Sequence, residues 1–572
     1  MDKHTLVILL HGFTSRPKDL GYVERAIKAV IDRVEVLKPP LLLSRLSIAN
    51  PGVIVSHLLQ LVDKRWETGR YDRIILAGHS AGALLARKLY IAACGNHRFA
   101  PLEKELATSC GSARPWAAYV ERLVLLAGMN NGWSIDYHMS LGRALQYSVG
   151  VIFAQLGYLL TRRWPTILQI RRGAPFLTEL RVEWLLMRRD AGIKGVGSAL
   201  VVQLLGTVDD LVSPRDNMDL VTGSDFFFLD VPDSGHGSVL QMDDSTRGQN
   251  RAVVLQNALT WSKETLAIKS APIEEVNPVL VREDVDEVVF VIHGIRDEGF
   301  WTDKIAREIV MEGRAVGRTF ARETSTYGYF GMFPFLSPWA RRKKVEWLMN
   351  KYAEAIARYP QATKFHYVGH SNGTYLLARA LRDYRCCHFS RVVFAGSVVP
   401  SRYDWDSHLR SVPPRVEDIL NYVATADWVV AFFPNCFEYL GIPDIGGAGH
   451  RGFSQLDSGG SDSAQPRNIR YVVGQHSAAI RESNWKALAN FVVHGYPADG
   501  IPSGAATGKD HEFFVGLLAL CPPLIWLALL AILASVPALL FLGYSHYHWH
   551  EWLVTSLLIA YVSSIGYIGN RI

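Results

Sequence analysis

The stretch Arg73–Tyr90, "RIILAGHSAGALLARKLY", decides how this chain is read. It opens as a short apolar run of strand length, and "ALLARKLY" continues with the spacing of a helix. Between them stands G-x-S-x-G, Gly78–Gly82. Glycines at those two places permit a sharp strand-to-helix turn that lifts a serine side chain above a sheet, where a base can reach it. The pentapeptide alone is a weak signal, but between a strand and a helix it marks Ser80 as a candidate nucleophile. The device recurs as "GHSNG", Gly369–Gly373, inside "KFHYVGHSNGTYLLARAL", which makes Ser371 a second candidate.

Outward from the first turn, "LVILLHGF", "ERLVLLAG", "ALVVQLLG" and "DFFFLDV" are short, continuously apolar strands, with helical patterns between them. Apolar strands alternating with helices predict a mostly parallel sheet covered on both faces. The pattern closes with "RAVVLQNALTWSKE", lapses through an acidic, proline-bearing stretch, and restarts with "EVVFVIHGI", "SRVVFAGSVV", "ILNYVAT" and "NIRYVVG". A chain of 572 residues is too long for one core. The expected organisation is an α/β domain over 1–266, a linker over 267–284, a second α/β domain over 285–496, a linker over 497–511 and an apolar C-terminal region over 512–572. The Gly/Ser-rich stretch 441–465 is expected as a mobile surface loop inside the second domain.

A serine hydroxyl becomes a nucleophile only with a general base, and the base needs an acid to orient it. Downstream of Ser80, "ALVVQLLGTVDD" ends a strand in Asp209 and Asp210, and "DFFFLDVPDSGH" leads to His236. Downstream of Ser371, "ILNYVAT" leads to Asp427 and "NIRYVVGQ" to His476. Asp404 and Asp406 are alternative acids there, and His450 is an alternative base. Each chosen residue falls at the carboxyl end of a predicted strand, where the sites of open α/β sheets gather.

With those residues in place, residues 4–265 resemble an α/β-hydrolase of the lipase and serine-esterase kind, and residues 285–495 resemble the same superfamily less cleanly. The resemblance rests on the turn His11-Gly12, the elbow "GHSAG", the acid motif "GTVDDLV" and "DSGHGSV"; the second half repeats it with His293-Gly294, "GHSNG", "ATADWVV" and His476. The resemblance selects Asp209 over Asp210. The second acid motif lacks the family's glycine, which leaves Asp427 less secure. It also implies oxyanion holes made by the backbone N–H groups of Phe13 and Ala81, and of Ile295 and Asn372. The implied activity is hydrolysis of carboxylic esters of lipids or other acyl compounds by Ser-His-Asp catalysis in one or both domains, with no metal or organic cofactor. The same residues also serve acyl transfer or thioester cleavage. A binding or scaffolding protein with inactive hydrolase folds is the reading from another class.

Two insertions interrupt the domains. At about 132–190, where the family carries a cap or lid, "SVGVIFAQLGYLL" is followed by paired arginines, the pattern of a cap helix or of a helix at a lipid interface. In the second domain "TYGYFGMFPFLSPWARRKK" suits either packing or a loop that dips into headgroups. Leu524–Gly543 and Trp552–Gly569 carry no charge, and each is long enough to span a bilayer. The expected fold is therefore two α/β-hydrolase domains followed by two transmembrane helices. Lys509 before that hairpin and Arg571 after it, with neither Lys nor Arg in "YSHYHWHE", place both domains in the cytoplasm by the positive-inside rule. Six cysteines without framework or metal spacing fit a reducing compartment. "MDKHTLVILLHGF" reads as a strand rather than a secretory signal. The net charge of +6 is too diffuse for a nucleic-acid partner, so the expected partners are an acyl ester or lipid substrate and a membrane.

Overall fold

The computed structural model describes residues 4–44, 47–107, 111–133, 164–209, 225–270, 280–297, 299–442, 444–454, 469–495 and 513–571. The chain divides into two compact units. One comprises 1–281 with 349–360 and 384–386; the other comprises 282–348, 361–383 and 387–572.

The first unit is built on six parallel strands: β1 (Thr5–Leu10), β2 (Val34–Leu37), β3 (Arg73–His79), β4 (Val120–Leu126), β5 (Leu200–Gly206) and β6 (Phe226–Val231). They lie in the order β2-β1-β3-β4-β5-β6. Every residue of β1 is buried, because successive side chains of a strand point to opposite faces and both faces are covered. Leu6, Ile8 and Leu10 pack into one apolar layer with Leu84, Leu89 and Trp116. Val7 and Leu9 join the opposite layer with Val23, Ile27 and Leu255. Each such aliphatic side chain contributes roughly 1.5–3 kcal/mol on burial.

The second unit repeats the plan with β7 (Glu287–Ile292), β8 (Phe320–Glu323), β9 (Lys364–His370), β10 (Phe389–Ala395), β11 (Val416–Ala424) and β12 (Ile469–Val472). Its sheet is also parallel, in the order β12-β11-β10-β9-β7-β8. Val289 and Val291 pack against Ile305, Ile309, Leu488 and Val492, while Phe290 on the other face meets Phe389 edge-on at 5.6 Å.

The structure departs from the sequence reading at identifiable places. The edge strands β2 ("VEVL") and β8 ("FARE") are four residues long and carry charge, so they lack the apolar signature of the inner strands. The stretch expected as a mobile loop is packed in its first part: Ile445, Ala448 and Phe453 are buried, and residues 455–468 lie outside the described residues. The first insertion's apolar run, with the rest of residues 134–163, also lies outside them. Beyond it the helix Pro175–Lys194 buries Phe176, Leu177, Leu180 and Trp184 in the unit's own core. Arg188 turns inward to donate to the Gly197 and Ala199 carbonyls at 2.9 and 2.7 Å, so it forms no solvated basic rim.

Of the two expected membrane spans, one helix among the described residues is long and apolar enough to cross a bilayer. Pro522–Tyr547 has 26 residues and its most apolar stretch is only 6% buried. At 1.5 Å per residue it is about 39 Å long. Pro522 and Pro523 occupy its first turn, where a missing N–H costs nothing, and the helix continues through Pro537. The second expected span is a helix, Glu551–Arg571, with Thr, Ser, Gly and Asn in its length. It packs against the first, and the Tyr561 hydroxyl donates to the Leu533 carbonyl at 2.7 Å.

Candidate active sites

In the first unit, β3 ends at His79 and the helix Ala81–Ala93 begins at once, with Ser80 between them at φ +55°. A non-glycine residue seldom occupies that left-handed region. Here the Ser80 N–H is held by the Leu126 carbonyl at the end of β4, 3.0 Å away. The glycines on either side are required by space. A Cβ on Gly82 would stand 2.5 Å from the Leu10 carbonyl oxygen, and one on Gly78 would stand 2.4 Å from that of Gly82. Strand, helix and β1 therefore close on one another only at glycine.

Ser80 Oγ lies 2.8 Å from His236 Nε2, and His236 Nδ1 lies 3.0 Å from Asp209 Oδ2. The carboxylate can only accept, so Nδ1 carries the proton and Nε2 accepts from the serine hydroxyl. All three side chains hang from the carboxyl ends of β3, β5 and β6, which a parallel sheet puts on one edge. Asp210 lies outside the described residues.

Gly12 abuts the serine: a Cβ there would come 3.0 Å from Ser80 Cβ. His11 accepts the Leu41 N–H at Nε2 (2.9 Å), which leaves Nδ1–H to donate to the Gly12 carbonyl at 2.9 Å. Burial, its largest influence, lowers the His11 pKa and favours this neutral form. Across a trans peptide the carbonyl and the next N–H point oppositely, so fixing Gly12 O toward His11 turns the Phe13 N–H away from it. The N–H groups of Phe13 and Ala81 have no acceptor among the described residues.

In the second unit β9 runs through His370 into Ser371 at φ +51°, and the helix Asn372–Asp383 follows. The Ser371 N–H is held by the Ala395 carbonyl at the end of β10, 3.0 Å away. His476 Nδ1 donates to both Asp427 oxygens, at 3.1 and 2.9 Å. Burial pushes the His476 pKa down, but the Asp427 charge and hydrogen bond outweigh it, and the net shift is upward. Asp427 is itself fully buried and caps the helix Trp428–Tyr439 by accepting the Val430 N–H at 3.0 Å. Among the described residues no hydrogen bond joins Ser371 to His476, which marks the difference from the first site. Asp404 accepts the Ser407 N–H and Asp406 pairs with Arg410, so His476 engages neither.

His293 repeats the role of His11, donating from Nδ1 to the Gly294 carbonyl at 2.8 Å while Nε2 accepts from Thr326 Oγ1 at 2.7 Å. The N–H groups of Ile295 and Asn372 have no acceptor among the described residues.

Sequence reasoning missed two neighbours of these sites. His79, the variable residue of the first elbow, contacts the His236 backbone with Nε2 at 2.8 Å. Burial first, and the nearby His236 second, lower its pKa to about 4. Tyr327, from the second insertion, places its hydroxyl 2.8 Å from the Gly294 carbonyl and accepts from Asn372 Nδ2 at 3.1 Å. A histidine inside an elbow and an aromatic in a loop carry no periodic signal that would reveal either contact.

No protein-family model and no curated protein sequence matches this chain. Solved structures do resemble it. A lipase of Bacillus licheniformis is 14% identical, covers 46% of this chain and 93% of its own, and has a TM-score of 0.27. A soluble variant of the monoglyceride lipase of Saccharomyces cerevisiae is 12% identical over 47% of this chain and 88% of its own, with a TM-score of 0.29. The thioesterase domain of the curacin biosynthetic pathway is 14% identical over 46% and 92%, with a TM-score of 0.25. Likenesses of this depth leave the chemistry to be read from the sites themselves.

Proposed function

We propose that the protein is a membrane-anchored serine hydrolase that cleaves carboxylic esters of lipids or other acyl compounds. The observation that carries this reading is the unbroken relay from Ser80 through His236 to Asp209, at 2.8 and 3.0 Å, on a left-handed elbow. In the first half-reaction Ser80 Oγ attacks the acyl carbonyl as His236 Nε2 takes its proton. Asp209 holds the ring and stabilises the imidazolium. The Phe13 and Ala81 N–H groups receive the charge that develops on the carbonyl oxygen, and such a donor is worth about 10²–10³ in rate. His236 then protonates the leaving alcohol. Water, deprotonated by the same histidine, releases the acid and restores Ser80.

Ser371, His476 and Asp427 are proposed as a second set, with Ile295 and Asn372 as its oxyanion donors. It stands second because its serine and histidine are not hydrogen-bonded. The C-terminal helices are proposed as a transmembrane hairpin, with the two sheet-bearing units on the cytoplasmic side; the apolar length of Pro522–Tyr547 and the flanking Lys509 and Arg571 support this.

Release of acid from p-nitrophenyl esters of graded chain length tests the reading with wild type, Ser80→Ala and Ser371→Ala. Loss of most turnover in Ser80→Ala supports it. Folded wild-type protein that hydrolyses none of these esters, nor the corresponding acyl thioesters, contradicts it.

A further inference from the structure

One short segment of the second unit ties its candidate site to the C-terminal helices. Tyr327 is held inward: its hydroxyl meets the oxyanion loop at Gly294, and its ring stacks on His293 at 4.2 Å. Three residues later the Phe330 carbonyl accepts the Arg296 N–H at 3.1 Å, which fixes the segment to the loop that bears Ile295. Its next turn, the helix Met332–Leu336, packs against the helix Glu551–Arg571.

The acid of the site is tied to the apolar helices as well. Asp427 caps the helix Trp428–Tyr439, and that helix packs on Pro522–Tyr547. Phe432 stacks on Trp526 at 5.2 Å with the rings 6° from parallel. Trp526 stands in the second turn of the long apolar helix.

The same segment, that of Tyr327, leaves apolar side chains partly exposed. Tyr329 is 47% exposed, Phe333 42%, Leu336 37% and Trp339 65%, and Lys343, which is exposed, follows them. Aromatic side chains edged by a basic residue suit the boundary between acyl chains and anionic headgroups.

We infer that the face formed by Tyr329, Phe333, Leu336 and Trp339 is seated in the lipid–water boundary of the membrane that the C-terminal helices enter. The occupant of this face is a bilayer containing anionic lipid. Its position gives the second site a substrate class, an ester-bearing membrane lipid that reaches Ser371 without crossing bulk water. The inference rests on the anchoring proposed above.

Spin labels on the full chain in nanodiscs of phosphatidylcholine and phosphatidylserine test it. Single cysteines replace Phe333, Trp339, Leu530 in the long apolar helix, or Met311 in the helix Thr302–Ala315, in a background where Cys110 and Cys521 are serine. Labels at 333, 339 and 530 are expected to collide several-fold more with oxygen than with a water-soluble nickel chelate, and the label at 311 the reverse. A label at 530 that reads lipid while those at 333 and 339 read water overturns the seated face and leaves the anchor standing. Labels at 333 and 339 shielded from both reagents mean that protein covers the face, and overturn it equally. A label at 530 that reads water overturns the anchor, and the seated face with it.

Discussion

His79 and His236 are joined by a hydrogen bond that runs from a ring to a backbone: His79 Nε2 lies 2.8 Å from the His236 carbonyl oxygen. A carbonyl only accepts, so Nε2 carries the proton, and Nδ1 is buried without a partner among the described residues. The residue just before Ser80 therefore holds the loop that carries His236.

Removing that donor should loosen His236 relative to Ser80 without touching either side chain. His79→Leu is expected to lower kcat about 10–100-fold, the cost of a small misplacement of reacting groups, with KM little changed. His79→Gln retains an N–H donor and should recover part of the loss. A merely structural role would lower the thermal midpoint of both variants equally and leave kcat per folded molecule intact.

Gly82 is a packing requirement. Its missing Cβ would fall 2.5 and 2.6 Å from the carbonyl oxygens of Leu10 and His11, which are backbone and cannot rotate aside. Gly82→Ala is expected to destabilise the first unit by about 1–3 kcal/mol. It should also displace the Gly12–Phe13 peptide, with a loss of turnover larger than the loss of folded protein. Denaturant unfolding beside active-site titration separates the two.

Lys88 stabilises the first unit from inside. Its ammonium is fully buried, 2.5 Å from Glu183 and 2.8 Å from Glu103. Lys88→Met leaves Glu183 buried without its cation, while Glu103 keeps Arg385 at 3.3 Å, and is expected to cost about 3–5 kcal/mol. Burial already pushes the Glu183 pKa up, with Lys88 opposing it. Without Lys88, the Glu183 pKa in the folded state should rise further above its unfolded value, so Glu183 destabilises increasingly as pH rises past the unfolded value. The variant should therefore lose more stability at pH 8 than at pH 5, measured by chemical denaturation.

His476 makes the second site pH-sensitive in a defined direction. Its folded pKa lies above the ordinary 6.5, so the pair with Asp427 contributes stability that is full below about 6.5 and lost as pH rises through the raised value. Asp427→Asn removes both raising influences and leaves burial, which lowers the pKa. Titration of the His476 ring protons by NMR should show the midpoint fall in that variant. The acid limb of any turnover carried by Ser371 should move to lower pH with it, at a lower plateau.

The readable parts of the chain were those where one residue type is forced. Gly78, Gly82 and the apolar runs of β1 and β3 announce themselves, because backbone proximity admits only glycine and two covered faces favour apolar side chains. Position after strands points to Asp209 or Asp210, His236, Asp427 and His476 as candidates, and only the family resemblance selects Asp209 over Asp210. The edge strands β2 and β8 were not legible, since each has only four residues and carries charge. Nor were the contacts of His79 and Tyr327, or the stacking of Phe432 on Trp526, which depend on how segments distant in sequence pack together. The second apolar run reads as a span by length, yet it folds into a helix whose Ser, Thr, Gly and Asn residues leave Pro522–Tyr547 the more apolar of the two.

The central claim is that Ser80 is an activated nucleophile. Labelling of the purified full chain with a fluorophosphonate, followed by mass spectrometry of the modified peptide, tests it most directly. The adduct is expected on Ser80 in wild type, at a rate that falls by about 10⁴ in Asp209→Asn, the loss seen when a triad acid is replaced by its amide. It should be absent in Ser80→Ala. Folded wild-type protein that takes no label on Ser80, or labels it equally fast in Asp209→Asn, would contradict the account.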